Sequence, residues 1–94
     1  MLERLHLNIV REVDRQGSLT AAAAHLCLTQ SALSHSMRKL EERLGTAIWL
    51  REGRSLRLSQ AGQAVLQLAE RVLPQLELTE TRLREHAAGQ RGSL

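Results

Sequence analysis

Between Ser18 and Gly45 the sequence SLTAAAAHLCLTQSALSHSMRKLEERLG leaves the chain little freedom in how it can fold. Ser18 is an N-cap residue type placed directly after Gly17, and the alanines at 21–24 propagate a helix to Leu26 without adding bulk. Another helix can therefore cross this one closely and at a steep angle. Cys27 and Leu28 form the turn, and Thr29 has the chemistry to cap the next helix. Neither start has Glu or Gln three residues on, so neither is a full capping box. The pattern predicts two short helices joined by a tight turn, a helix-turn-helix.

On the second helix Leu33, Met37, Leu40 and Leu44 form a single apolar stripe that faces inward. Ser31, Ser34, His35, Arg38 and Glu42 share the opposite face, with Gln30 at its N-terminal edge and Lys39 beside it. Most polar helix faces are simply solvated and are rich in Lys and Glu. The N-terminal half of this one carries no charge. Gln and Arg hydrogen-bond bidentately to base edges, Ser reads bases or phosphates, and short side chains let a helix sink into a major groove. The free N–H groups at the helix start favour a nearby phosphate.

The distribution of charge supports the same reading. The net charge is +3. Residues 1–28 and 59–94 are each balanced, so the whole excess falls in residues 29–58, on Arg38, Lys39, Arg43, Arg51, Arg54 and Arg57 against Glu41, Glu42 and Glu52. A positive region that coincides with the polar helix is the electrostatic footprint expected for nucleic acid.

The flanking segments complete a small fold. A first helix from Leu2 to Asp14 places Leu7, Val10 and Val13 on one face, with Leu5 and Ile9 at its borders, and Gly17 ends it. After Gly45 the period changes. Residues 48–51 and 56–58 are strand-like around a Glu52-Gly53-Arg54-Ser55 turn, a basic hairpin with Arg54 at its tip and Arg51 and Arg57 on its flanks as phosphate contacts. Trp49 is the one aromatic residue and is read as core. Ser59 then opens a long helix, Gln60 to about Ala88, whose apolar residues Val65, Leu66, Leu68, Ala69, Val72, Leu73 and Leu76 exceed what one neighbouring face requires. The surplus points to a second copy, with Val65, Leu68, Ala69, Val72 and Leu76 as the dimerisation set. Pro74 removes an N–H and clashes with the carbonyl of Glu70, so a kink is expected there. Residues 89–94 read as a tail or hinge.

The fold class expected is therefore mostly α: a winged helix-turn-helix over residues 1–58, made of three helices and a two-stranded wing, followed by a linker and dimerisation helix over 59–88. Enzymatic readings find no support. His6, His25, His35, His86 and Cys27 have no zinc-site spacing, and there is no phosphate loop, paired-carboxylate site or serine elbow. No metal or cofactor is expected in these residues. The sequence shows no signal peptide and no membrane-spanning run, and a lone cysteine suits a reducing cytoplasm.

Taken in order, SLTAAAAHL, LTQSALSHSMRKLEERLG and IWLREGRSLRLSQAGQAVL resemble the N-terminal DNA-binding domain of LysR-type transcriptional regulators, over about residues 5 to 85. The resemblance implies double-stranded DNA as partner, antiparallel homodimerisation through the long helix, often tetramers in full-length form, and an effector-binding domain absent from this chain. It also implies contacts from Thr29, Gln30, Ser31, Ser34, His35, Arg38 and Lys39 on the recognition helix, and from Arg51 and Arg54 on the wing. Ser31 stands where many members have Pro, His35 where many have Arg, and Trp49 where Phe is usual. The TQSALSH string and the VLPQL segment are similar to the family's regulators of methionine biosynthesis, which implies homocysteine as the co-inducer of the full-length protein. The competing reading is a winged helix that docks a protein through its long helix and has no specific DNA role. It predicts weak, non-specific DNA affinity and tolerance of changes at Ser34 or Arg38.

Overall fold

The computed structural model describes residues 1–53 and 55–92, the last three of them as backbone only. Four helices and one hairpin follow in the order α1 (Arg4–Gln16), α2 (Leu19–His25), α3 (Gln30–Leu44), β1 (Trp49–Glu52), β2 (Ser55–Leu58) and α4 (Gln60–Gly92). The architecture is the expected one, a winged helix-turn-helix followed by a long helix.

Helix α1 begins two residues later than the apolar spacing suggests, because its start is set by a cap that the sequence does not advertise. The backbone N–H of Glu3 donates to Nδ1 of His6 at 3.0 Å, and His6 is buried. Gly17 ends the helix in a left-handed conformation, φ 79°, with its N–H on the carbonyl of Val13. Leu7, Val10 and Val13 are buried as expected. Ile9, expected at the border, is fully enclosed instead, while Leu5 is exposed.

Ser18 and Thr29 cap the next two helices, their hydroxyl oxygens accepting from the N–H groups of Ala21 and Ala32, each at 3.0 Å. The turn between them sits one residue earlier than the sequence reading places it, at Leu26 and Cys27. Cys27 adopts φ 59°, where Gly is usual, and lets the N–H of Leu28 reach back to the carbonyl of Ala23 at 2.8 Å. Ala22 and Ala23 are buried, so the alanine run serves as the close-contact surface of α2. Leu33, Met37 and Leu40 of α3 enter the core, with Leu44 half-buried at its edge.

The hairpin is tied back to the helices. Glu41 of α3 accepts the N–H of Ile48 at 2.7 Å, and Ile48 is fully buried. Ser59 donates its N–H to the Ile48 carbonyl and accepts the N–H of Gly62, which caps α4. β1 and β2 pair antiparallel with Trp49 opposite Leu58, Leu50 opposite Arg57, Arg51 opposite Leu56 and Glu52 opposite Ser55.

Helix α4 runs for 33 residues and gives the molecule its 60 Å long axis. It continues through Pro74 and reaches Gly92, past the expected end near Ala88 and into the stretch read as a tail. Val65, Ala69 and Leu73 are buried in the core that α4 shares with α1. Beyond Leu73 the two helices are joined by ion pairs, Arg11 with Glu77 and Arg4 with Glu80. Among the described residues no helix is long and apolar enough to cross a membrane.

Candidate nucleic-acid interface

Thr29, Gln30, Ser31, His35, Arg38 and Lys39 are exposed on α3, and Ser34 is half-buried. Helical spacing divides them into two rows. Ser31, His35 and Lys39 lie on the outer row. Ser34 and Arg38 lie on the inner row and help to line a cleft of about 260 Å³ with Leu19, Trp49, Arg51 and Leu56. Glu41 stands at the same cleft, but its carboxylate accepts the Ile48 N–H. A second, more polar cleft is bounded by Ser18 and Thr20 of the α2 start, by Gln30, and by Arg51 and Ser55 of the wing.

Arg51 therefore borders both clefts, and the pleat of the hairpin explains why. Arg51 lies opposite Leu56 and shares a face with Trp49 and Leu58, the side turned to the domain. Arg57 pairs with Leu50 and so falls on the other face, where it forms an ion pair with Glu52 at 2.7 Å. Arg51 and Arg57, both expected as phosphate contacts, thus stand on opposite faces of the hairpin, and only Arg51 lines the cleft beside α3. Arg54, the expected tip contact, lies outside the described residues.

Trp49 is half-buried rather than fully core, packed on the core and lining the inner cleft. Its Nε1 is buried with no hydrogen-bond partner among the described residues. Thr20 bears no motif or spacing signal in the sequence. Its hydroxyl donates to Oε1 of Gln30 at 3.0 Å, joining the first turn of α2 to the first residue of α3. Nothing in the spacing of two exposed polar residues ten positions apart signals this contact.

The five residues assigned to dimerisation are divided by the structure. Val65 and Ala69 are enclosed within the chain's own core, and Val72 is half-buried against it. Leu68 and Leu76, 39% and 37% exposed, face outward, and Leu78 and Leu83 are exposed further along α4. An inward row every fourth residue and an outward row beside it are what a helix with two partners requires. Chemically, the surface around α3 offers hydrogen-bond donors, acceptors and fixed cations. Among the described residues no group of three or more His, Cys, Asp or Glu side chains is placed to hold a metal ion.

Residues 5–63 match the model of the bacterial regulatory helix-turn-helix proteins of the lysR family. The chain is 45% identical over 92 residues to the HTH-type transcriptional regulator MetR of Salmonella typhimurium, with 89% of this chain and 29% of the relative covered. The MetR of Escherichia coli (strain K12) gives the same identity and coverage. The chain thus spans less than a third of the length of these relatives. Among solved structures, the BenM DNA-binding domain in complex with catB site 1 DNA matches with a TM-score of 0.80 and 29% identity, covering 92% of this chain and 96% of that one. The CbnR DNA-binding domain in complex with DNA matches with a TM-score of 0.74 and 31% identity, covering 92% and 99%.

Proposed function

Because this chain belongs to the LysR family of bacterial regulatory helix-turn-helix proteins, we propose that it binds double-stranded DNA sequence-specifically, with the N-terminal half of α3 in a major groove. The observation that carries this reading is the convergence of Ser34 and Arg38 of α3 with Arg51 of the wing on one cleft. A recognition helix needs short hydrogen-bonding groups to approach base edges, and a cation beside it to fix the backbone. Here one cleft carries both. The family is one of regulators rather than enzymes, and the BenM and CbnR domains were solved on DNA.

Gln30, Ser31, Ser34, His35 and Arg38 face base edges, while Thr29, Lys39 and Arg51 take phosphates. Residues 1–58 form the DNA-binding unit. Residues 59–88 dimerise it through Leu68, Val72 and Leu76, so that two copies read twofold-related half-sites. The full-length protein is a cytoplasmic transcription regulator that answers to a small-molecule co-inducer. The 45% identity to MetR supports placing it with the methionine-biosynthesis regulators.

Selection of the 94-residue chain against random duplex DNA, with the bound pool sequenced after washes at two salt concentrations, tests this reading. Paired, inverted half-sites are expected. A pool indistinguishable from the input, with binding that vanishes at moderate salt, rejects specific recognition and leaves docking of a protein partner as the role of the winged helix.

A further inference from the structure

We propose that Thr20, a residue of α2, is a positioning residue for base recognition: it acts through Gln30 and fixes which end of the Gln30 amide meets the DNA. The inference rests on the DNA-binding reading above and extends it to a residue outside the recognition helix.

Gln30 is the first residue of α3, at the end that enters the groove, and its side chain is exposed. A primary amide is nearly symmetric in shape but opposite in chemistry at its two ends, an acceptor oxygen and a two-proton donor nitrogen. An unrestrained glutamine can present either. Here the hydroxyl of Thr20 donates to Oε1 of Gln30 at 3.0 Å, which occupies one lone pair of the oxygen and turns it toward α2, while neither Nε2 proton is used in that bond. Thr20 is itself held, since it lies in the first turn of α2 behind the Ser18 cap.

The consequence is a defined base preference. Bidentate pairing of Gln with adenine uses the amide oxygen as acceptor for the adenine N6 protons and the amide nitrogen as donor to N7. With Oε1 engaged by Thr20, that pairing is disfavoured, and Gln30 becomes a donor best matched by guanine, whose N7 and O6 are adjacent acceptors, whereas adenine sets its N7 acceptor beside the N6 donor. The polar cleft lined by Thr20, Gln30 and Arg51 gives room for the base edge and the adjoining backbone on the same side.

The test compares selected DNA pools for the wild-type chain and for Gln30→Ala, Thr20→Val and Thr20→Ser. Gln30→Ala identifies the base pair under Gln30, as the position in each half-site where preference disappears. At that position the wild type should favour G over A, and a wild-type preference for A overturns the proposal. Thr20→Val, which keeps shape and loses the hydroxyl, should shift the ratio toward A by about fivefold or more, and Thr20→Ser should retain the wild-type ratio. In the Gln30→Ala background Thr20→Val should change nothing further. The melting midpoint and salt slope of Thr20→Val should stay at wild-type values, which a purely structural role would not allow. Thr20→Val with an unchanged base preference, with a shift away from A, or with a uniform loss of affinity at every position overturns the proposal. So does a Gln30→Ala pool that loses preference nowhere. A wild-type pool without enrichment overturns the DNA-binding reading itself, and this inference with it.

Discussion

Arg11 and Glu77 lie 66 positions apart in sequence and meet as a two-pronged ion pair, Nη2 to Oε2 at 2.6 Å and Nη1 to Oε1 at 3.2 Å. Arg4 and Glu80 repeat the arrangement at 2.6 and 2.7 Å. Both pairs join α1 to α4 just past Leu73, where the buried apolar contact ends. The direction in which the long helix leaves the domain is set by the packing of Val65, Ala69 and Leu73 against α1, and the two ion pairs brace it further along. In the proposed dimer that direction also sets the spacing of the two recognition helices.

Glu77→Gln tests the brace. Arg11 is 8% exposed, so its guanidinium depends on this partner, but the Glu77 side chain is 45% exposed and the attraction is screened. Loss of about 1 kcal/mol in a urea titration at neutral pH is expected. The Arg11 guanidinium holds the Glu77 carboxyl below its ordinary value of 4.5. The folded state thus binds the proton more weakly than the unfolded chain, and the contribution is complete above 4.5 and lost as pH falls through the depressed folded value. The difference between wild type and variant should shrink to nothing in acid. A constant difference across that range would assign the effect to packing.

His6 gives the fold a second pH dependence, on the weakly acidic side of neutrality. Burial is the main cause that lowers its pKa from 6.5; nearby Arg43 and the amino terminus act in the same direction, and Glu3 opposes them. Its Nδ1 must also stay unprotonated to accept the Glu3 N–H. Because the folded value lies below the unfolded one, stability is full above about 6.5 and falls as pH drops toward the folded value. Thermal melts at closely spaced pH values should show this decline. His6→Gln, which keeps an acceptor but does not titrate, should flatten it, and an unchanged slope in that variant would remove His6 from the account.

Gly62 stands where α4 passes the end of the wing. A Cβ there would clash with the carbonyl oxygen of Ile48, a backbone atom that also accepts the Ser59 N–H. Gly62→Ala should therefore destabilise by about 1–3 kcal/mol, although alanine ordinarily favours a helix. Gly89→Ala is the control, since its Cβ meets nothing within 4 Å. Equal stability of the two variants in chemical denaturation would contradict the close approach.

What was legible in the sequence is local. Ser18, Thr29, Gly17 and Gly45 marked helix ends through caps and left-handed conformations that depend on the residue itself and its near neighbours. The alternation around Glu52-Gly53 likewise marked the hairpin. What escaped depends on tertiary neighbours. Periodicity shows that α4 has a broad apolar surface, but not that Val65 and Ala69 turn to α1 while Leu68 and Leu76 turn outward. Arg57 looked equivalent to Arg51 until the register placed them on opposite faces. The Thr20 to Gln30 bond and the Arg11 to Glu77 pair join residues that no local pattern connects.

The most direct test of the central claim is the ratio of affinities for the selected duplex and a scrambled duplex of equal length, measured at one salt concentration for wild type and for Arg38→Ala. The wild-type ratio should reach about 10³ or more. Arg38→Ala should lower it by roughly tenfold, as expected for one lost base contact of about 1–3 kcal/mol, with a smaller change on the scrambled duplex. A wild-type ratio near unity, or an Arg38→Ala variant that weakens both duplexes equally, would show that α3 contributes charge alone and does not read sequence.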